Sequence, residues 1–194
     1  MIIYFEGLAC AGKTTLVNYL KKKIINSIIV PELPRNYLDM GDSLTNNFCR
    51  TNDERKCQDS VKFQKKYDYV LVDRGYASTL IYNYIQFQSK TPNEYLTTIN
   101  WYMNGITNGK LIKPDLYIYL KLDPKSSIAR AKLLKRHSTK YAWFTHPNLG
   151  IKAYDFFFKF LEPDVPRIIV NGNISTEEQV NIINQEFVKY EFIK

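Results

Sequence analysis

The chain is 194 residues long, with 45% hydrophobic and 24% charged residues, which excludes a disordered or fibrous polymer and allows one domain over 1–194 with a sizeable core. Its net charge of +8 suits anionic partners of several kinds: nucleic acid, membrane phosphates or small phosphate-bearing ligands. Cys10, Cys49 and Cys57 form no C-x-x-C pair, which argues against a disulfide framework or a zinc site.

No apolar run reaches the roughly 18 residues of a membrane span, and no basic segment precedes the first apolar stretch as in a signal peptide. The expected setting is therefore the cytoplasm, where unpaired thiols persist, with no membrane partner. The 15 Tyr and 11 Phe are many but carry no functional weight by themselves. The lysine runs at 21–23 and 65–66 read as solvated helix faces or ends.

Residues 2–5 read as a short buried strand. Gly7-Leu8-Ala9-Cys10-Ala11-Gly12-Lys13-Thr14 then fits the phosphate-loop pattern G-x-x-x-x-G-K-[ST], and a helix follows over 14–23. In such a loop the backbone amides from Gly7 through Ala9, Cys10, Ala11 and Gly12 to Thr15 curl around phosphate oxygens. Lys13 reaches the β/γ-phosphates, and the Thr14 hydroxyl ligates Mg²⁺.

Ile28-Ile29-Val30, stopped by Pro31, is a second strand. Residues 34–51 are polar and irregular. A helix is expected over 53–66, with Val61 and Phe63 inward. Tyr69 to Val72 is continuously apolar, as a buried parallel strand should be. Helices follow over 76–88 and from Pro92 to about Asn104, the latter with Leu96, Ile99 and Met103 on one face. Leu116 to Leu120 is a fourth strand, and Asp123-Pro124 supplies N-cap and first residue of the next helix. A helix over 151–161 leads to a fifth strand at 167–170. Ser175-Thr176-Glu177-Glu178 is a capping box for a last helix, with Val180, Ile183 and Phe187 on one face. Five short apolar strands alternating with helices predict an α/β, doubly wound parallel sheet, with ligands at the carboxyl ends of its strands.

Those ends carry the candidate chemistry. Asp73 closes the third strand beside the phosphate loop, where a carboxylate holds Mg²⁺ directly or through water. Arg74 faces the cleft as a clamp for an anion or a sugar oxygen. Glu32, after the second strand, can accept the proton of a substrate hydroxyl, and Arg35 can bind an anion. Arg130 sits near the phosphates at the start of a lid over about 130–150, in which Lys132 or Arg136 can neutralise a transferring phosphoryl group. A solvated helix or a polymer-binding face are the alternatives for that basic stretch. The loop at Asn171 and Asn173 runs past an adenine ring or is a plain turn. His137 and His146 are too scattered for a metal site. No N-K-x-D segment is present, so a guanine-reading switch is not expected.

Four segments together resemble the thymidylate kinase and deoxynucleoside kinase group: Phe5-Glu6-Gly7 through Thr15; Asp73-Arg74-Gly75; Leu111-Ile112-Lys113-Pro114-Asp115-Leu116 through Leu120, with Arg130 beyond it; and Ile169-Val170-Asn171 leading to Ser175 through Glu178. The resemblance implies a five-stranded sheet in the order 2-3-1-4-5, ATP as donor, Mg²⁺ as cofactor, and often a homodimer. It places Arg74 on the acceptor side, Arg130 and Arg136 on the phosphates, and Asn171 to Asn173 near adenine. The acceptor segment would be 34–66, with Tyr37, Phe48 and Phe63 for stacking and Gln58 and Gln64 for base edges. One departure is clear: thymidylate kinases carry an arginine where this chain has Pro31. The first expectation is phosphoryl transfer to a nucleoside monophosphate such as dTMP. A nucleoside or ribosylnicotinamide kinase is the alternative, and an ATPase acting with nucleic acid or protein is a third. A hydroxyl acceptor would need Glu32 as base; a monophosphate would need arginines instead.

Overall fold

The uninterrupted apolar runs become the strands. The computed structural model describes residues 1–33, 46–90, 94–135 and 141–189. Ile2–Gly7 is β1, Lys13–Lys23 α1, Ser27–Val30 β2, Asn46–Gln64 α2, Tyr69–Asp73 β3, Tyr76–Gln88 α3 and Tyr95–Thr107 α4. Leu116–Lys121 is β4, Pro124–Leu133 α5, Ala142–Thr145 α6 and Pro147–Phe156 α7, which runs into a π-helical turn at Phe157–Leu161 before β5 (Arg167–Asn171) and α8 (Thr176–Lys189). All strands are parallel in one sheet of order β2-β3-β1-β4-β5, the order that the resemblance implies. Among the described residues, no helix is long and apolar enough to cross a membrane.

Strand alternation sorts the core into two layers. Ile3, Phe5, Leu116, Ile118 and Leu120 pack on one face with Leu16 and Leu20 of α1 and with Val180, Ile183 and Phe187 of α8. Ile2, Tyr4, Tyr117 and Tyr119 point to the other face, toward Tyr76, Ile81, Tyr102, Tyr154 and Phe157. That second layer is largely aromatic, with Tyr4 meeting Tyr76 and Tyr117 edge-on at 5.8 and 5.9 Å. Buried phenols need partners. The buried Glu162 carboxylate supplies them, accepting from Tyr76 and Tyr117 at 2.7 Å and from Tyr102 at 3.0 Å. Much of the high tyrosine content is thus structural.

Three helices differ from the expected pattern. α2 begins at Asn46, inside the stretch read as irregular, and Val61 on it is exposed. Its inward face is instead polar: Asn52, Asp53, Lys56 and Ser60 are buried with Cys57. α4 runs three residues beyond Asn104, and Leu96 and Met103 on it are 68% and 54% exposed. It buries Thr98, Tyr102 and Gly105, because a glycine there lets Leu111 approach within 2.7 Å of where a Cβ would stand. The helix expected over 151–161 starts earlier, with Pro147 in its first turn, and ends in the π turn. The Asp123 cap and the Ser175–Glu178 capping box form as expected: Asp123 accepts from the Ser126 amide at 2.9 Å, and Glu178 accepts from the Ser175 amide at 2.9 Å.

Phe157 is the wedge between α7 and the tyrosine layer, with its ring 6.0 Å from Tyr117 and 6.3 Å from Tyr102. Phe157→Ala should cost about 3–5 kcal/mol of unfolding free energy. A urea midpoint within error of the parent would contradict that placement.

Candidate active site

β1 and β3 lie side by side with Phe5 opposite Asp73, so the phosphate loop and the end of β3 meet. At Gly7, φ is +147°, and a Cβ would stand 2.5 Å from the Leu120 carbonyl oxygen. Thr14 donates its hydroxyl to Asp73 Oδ2 at 2.6 Å. The other carboxylate oxygen, Asp73 Oδ1, is buried and accepts no hydrogen bond among the described residues. Burial pushes the Asp73 carboxyl up, against the Thr14 hydrogen bond and the neighbouring cations. An unsatisfied carboxylate oxygen next to a threonine hydroxyl is the hard oxygen set that Mg²⁺ prefers, so these residues fit that ion.

Lys13 is buried and donates to the carbonyls of Gly7 and Leu8 at 3.1 and 2.7 Å. Burial, helped by Arg74, lowers its ammonium to about 7 against the pull of Glu32, Asp73 and Glu6. The loop is braced from α5: Ser127 donates to the Ala9 carbonyl at 2.8 Å, and Arg130 to the Gly172 carbonyl at 2.8 Å and the Cys10 carbonyl at 3.4 Å.

The loop with Lys13 and Thr14, and Arg130, line a cleft of about 610 Å³. Its walls are the loop residues Ala9 to Thr15, Glu32, Arg74, Arg130, Leu133, Leu134, Phe144, and Gly172, Ile174, Ser175, Thr176 and Gln179. On the far side Arg74 Nε meets Glu32 Oε1 at 2.7 Å. Arg74 Nη1 donates to the Gly7 carbonyl at 3.1 Å and to Ser78 at 2.9 Å, and the Trp143 ring lies 5.6 Å from the guanidinium carbon. Burial works to raise the Glu32 carboxyl, but Arg74, Lys13 and Lys56 together hold it below the ordinary carboxylate value.

The turn that carries Arg74 is unusual. Arg74 has φ +59°, in the left-handed region. The next residue, Gly75, could carry no side chain: a Cβ would stand 2.3 Å from the Tyr4 ring. Glu6 on β1 grips this turn. Its carboxylate accepts the Gly75 amide at 2.7 Å, Ser78 at 2.6 Å and Tyr154 at 3.0 Å. Burial raises the Glu6 carboxyl despite these donors.

The sequence-predicted residues are not all in one place. Glu32, Arg74, Arg130 and the loop line the cleft; Thr14 and Asp73 meet as expected. Arg35, Tyr37 and Arg136 lie outside the described residues. Asn171 and Asn173 do not line the cleft: Asn171 caps the Asn173 amide at 2.9 Å, and Asn173 donates to Asp123 at 3.0 Å. Gly172 and Ile174 to Thr176 form the wall there. Gln58 and Gln64 are exposed, because α2 turns its buried polar residues inward and Gln58 sits roughly half a turn past Lys56. Phe63 is half-buried two turns below Lys56 and packs edge-on against Tyr67 at 6.2 Å. Phe48 is half-buried on the first turn of α2. Sequence reasoning missed Ser127, and it missed Glu6 as a brace. It also missed the α2 row of Asn52, Asp53 and Lys56; the spacing of 52, 53, 56 and 60 on one helical face was the available signal.

Residues 2–107 match the AAA domain family. The chain belongs to that family. It is 27% identical to the probable thymidylate kinase of Picrophilus torridus over 97% of this chain and 94% of that one. It is 28% identical to the probable thymidylate kinase of Methanobrevibacter smithii over 67% of this chain and 68% of that one. Its fold is that of deoxyadenosine kinase from M. mycoides: TM-score 0.71 at 21% identity to the form with bound dATP, covering 96% of this chain and 99% of that one. The form with dCMP and dCDP gives TM-score 0.71 at 22% identity, covering 97% and 100%. The architecture is therefore that of a phosphate-loop kinase of the deoxynucleoside and thymidylate kinase type.

Asp73→Asn keeps the size of the side chain and its bond to Thr14 but removes the charge. It should weaken binding of Mg²⁺·ATP by about 10-fold or more and leave binding of metal-free ATP nearly unchanged. Calorimetric titration with and without EDTA checks this; equal losses in both would remove Asp73 from the metal site.

Proposed function

We propose that the protein transfers the γ-phosphoryl group of ATP to a hydroxyl of a deoxynucleoside. The observation that carries this reading is the Glu32 carboxylate, held ionised at 2.7 Å from Arg74 on the wall of the phosphate-loop cleft. A hydroxyl nucleophile needs a base there. A monophosphate acceptor is already anionic, needs no base, and would be repelled by Glu32. The first expectation, a dTMP-type acceptor, therefore gives way to its alternative. The names of the two archaeal relatives favour a thymidylate kinase, and that remains the reading to be tested against. The deoxyadenosine kinase likeness over nearly the whole chain supports the nucleoside.

In this reading Glu32 takes the proton of the sugar hydroxyl as its oxygen bonds to the γ-phosphorus. The bond from that phosphorus to the β,γ-bridging oxygen breaks, and ADP leaves. Lys13 follows the moving phosphoryl group and neutralises its oxygens. Arg74 orients the acceptor and keeps Glu32 in its ionised form. Thr14 and Asp73 would hold Mg²⁺, which offsets phosphate charge when bound. Ser127 and Arg130 keep the loop in shape for the phosphates. Residues 1–194 act as one kinase domain, and Trp143 and Phe144 belong to the segment that covers the cleft and excludes water.

ADP release in the presence of Mg²⁺ should be stimulated by a deoxynucleoside and not by dTMP. The reverse pattern would establish the monophosphate reading. Glu32→Gln should lower kcat with a deoxynucleoside by about 10²–10⁴-fold; a parental rate would strip Glu32 of its role as base. Lys13 must be protonated to meet the phosphates, and its ammonium titrates at about 7 in the free protein. So kcat/KM for ATP should fall as pH rises through about 7, whereas kcat, which reports the loaded protein, should hold to higher pH. A kcat/KM flat across that range would contradict a depressed Lys13.

A further inference from the structure

One turn of α2 holds the backbones of both members of the Glu32–Arg74 pair. Asn52 donates its side-chain amide to the Glu32 carbonyl at 2.9 Å. Lys56, four residues on, donates its ammonium to the Arg74 carbonyl at 3.0 Å. Lys56 is itself fixed by Asp53 Oδ1 at 2.8 Å, with both side chains only 4% exposed, and Asp53 Oδ2 accepts from Thr79 of α3 at 2.6 Å. In the transfer chemistry derived above Lys56 enters only through its charge near Glu32, and Asn52, Asp53 and Thr79 do not enter at all.

A buried ion pair is a poor way to stabilise a fold, since well-packed apolar side chains of similar volume serve as well or better. What this pair supplies is direction. The Arg74 carbonyl belongs to a residue in the left-handed region, which arginine adopts rarely and only when its surroundings dictate it. Glu6 holds the amide on the far side of the same peptide, and Lys56 holds the carbonyl. Rotation of that peptide would swing the Arg74 side chain off Glu32 and off the Gly7 carbonyl.

We propose that Asn52 and Lys56 are positioning residues for the acceptor side of the site. They set Glu32 and Arg74 in reacting register through their backbone carbonyls, with Asp53 and Thr79 fixing Lys56. The inference rests on the reading of Glu32 as base.

The test is steady-state kinetics with Mg²⁺·ATP and a deoxynucleoside. Asp53→Asn combined with Lys56→Met removes both buried charges at once and so leaves no lone ion. This variant should retain its fold by circular dichroism and keep KM for ATP within about 2-fold, while kcat falls by about 10-fold or more. Asn52→Leu should show the same split and keeps the inference testable if the double variant does not fold. In a Glu32→Gln background the further loss from Asn52→Leu should shrink to under about 2-fold, because Asn52 acts through that residue. Parental kcat in the folded variants, or an Asn52→Leu loss that multiplies fully with that of Glu32→Gln, would overturn the positioning role. Glu32→Gln alone separates the two failures: if it is as active as the parent, the base assignment has failed; if it is inactive while the α2 variants are not, only this inference has.

Discussion

β1 and β3 are neighbours in a parallel sheet, and their register puts Phe5 opposite Asp73. β3 therefore turns off at Asp73 beside Glu6 and Gly7, the two residues through which β1 runs on into the phosphate loop. The contacts between the loop and the Asp73–Gly75 turn follow from that coincidence. Thr14 can reach Asp73, Arg74 can reach back to the Gly7 carbonyl, and Glu6 can cap the Gly75 amide, only because the two strand ends share one edge. β2 extends the same edge on the far side of β3 and delivers Glu32. A one-residue slip would turn each of these side chains to the opposite face.

The coincidence also crowds charge. Lys13 and Lys56 are buried with Glu6, Asp53 and Asp73, and Arg74 and the half-exposed Glu32 join them at the open side. Burial alone would neutralise most of them. Opposite charges are interleaved instead, and the balance differs at each position. At Lys13 burial and Arg74 prevail and the ammonium weakens; at Glu32 the three cations prevail and the carboxylate is kept charged. Two groups of opposite sign are thus tuned by the same guanidinium.

The parts of this arrangement that are contiguous in the chain were legible in the sequence. The phosphate loop, the five apolar strands, the Asp123 cap and the Ser175 capping box are local patterns with local causes. The order of the strands came from the resemblance to known kinases, because strand composition carries no neighbour information. The inward face of α2 was not legible, since the usual rule looks for apolar residues and this face buries polar ones. Its partners are distant in sequence: Glu32 for Asn52, Arg74 for Lys56, Thr79 for Asp53. For the same reason Val61 was assigned inward and stands exposed. Asn171 and Asn173 stand differently. Both are adjacent to the cleft in sequence, but short asparagine side chains satisfy the nearest backbone first, and here they brace their own loop and Asp123. Glu6 left a trace that was not used: a carboxylate inside a continuous apolar strand requires buried donors somewhere.

The ring of Tyr4 fills the space where a side chain at position 75 would stand. Tyr4 also belongs to the tyrosine layer, touching Tyr76 and Tyr117 and bonding the Cys57 thiol. The turn that presents Arg74 to the cleft is therefore locked to the hydrophobic interior. Any relative of this chain with an alanine or larger residue after the arginine must carry something smaller or differently seated at the tyrosine. The two positions can change only by a paired exchange, and this wall of the cleft inherits its variability from a residue of the core.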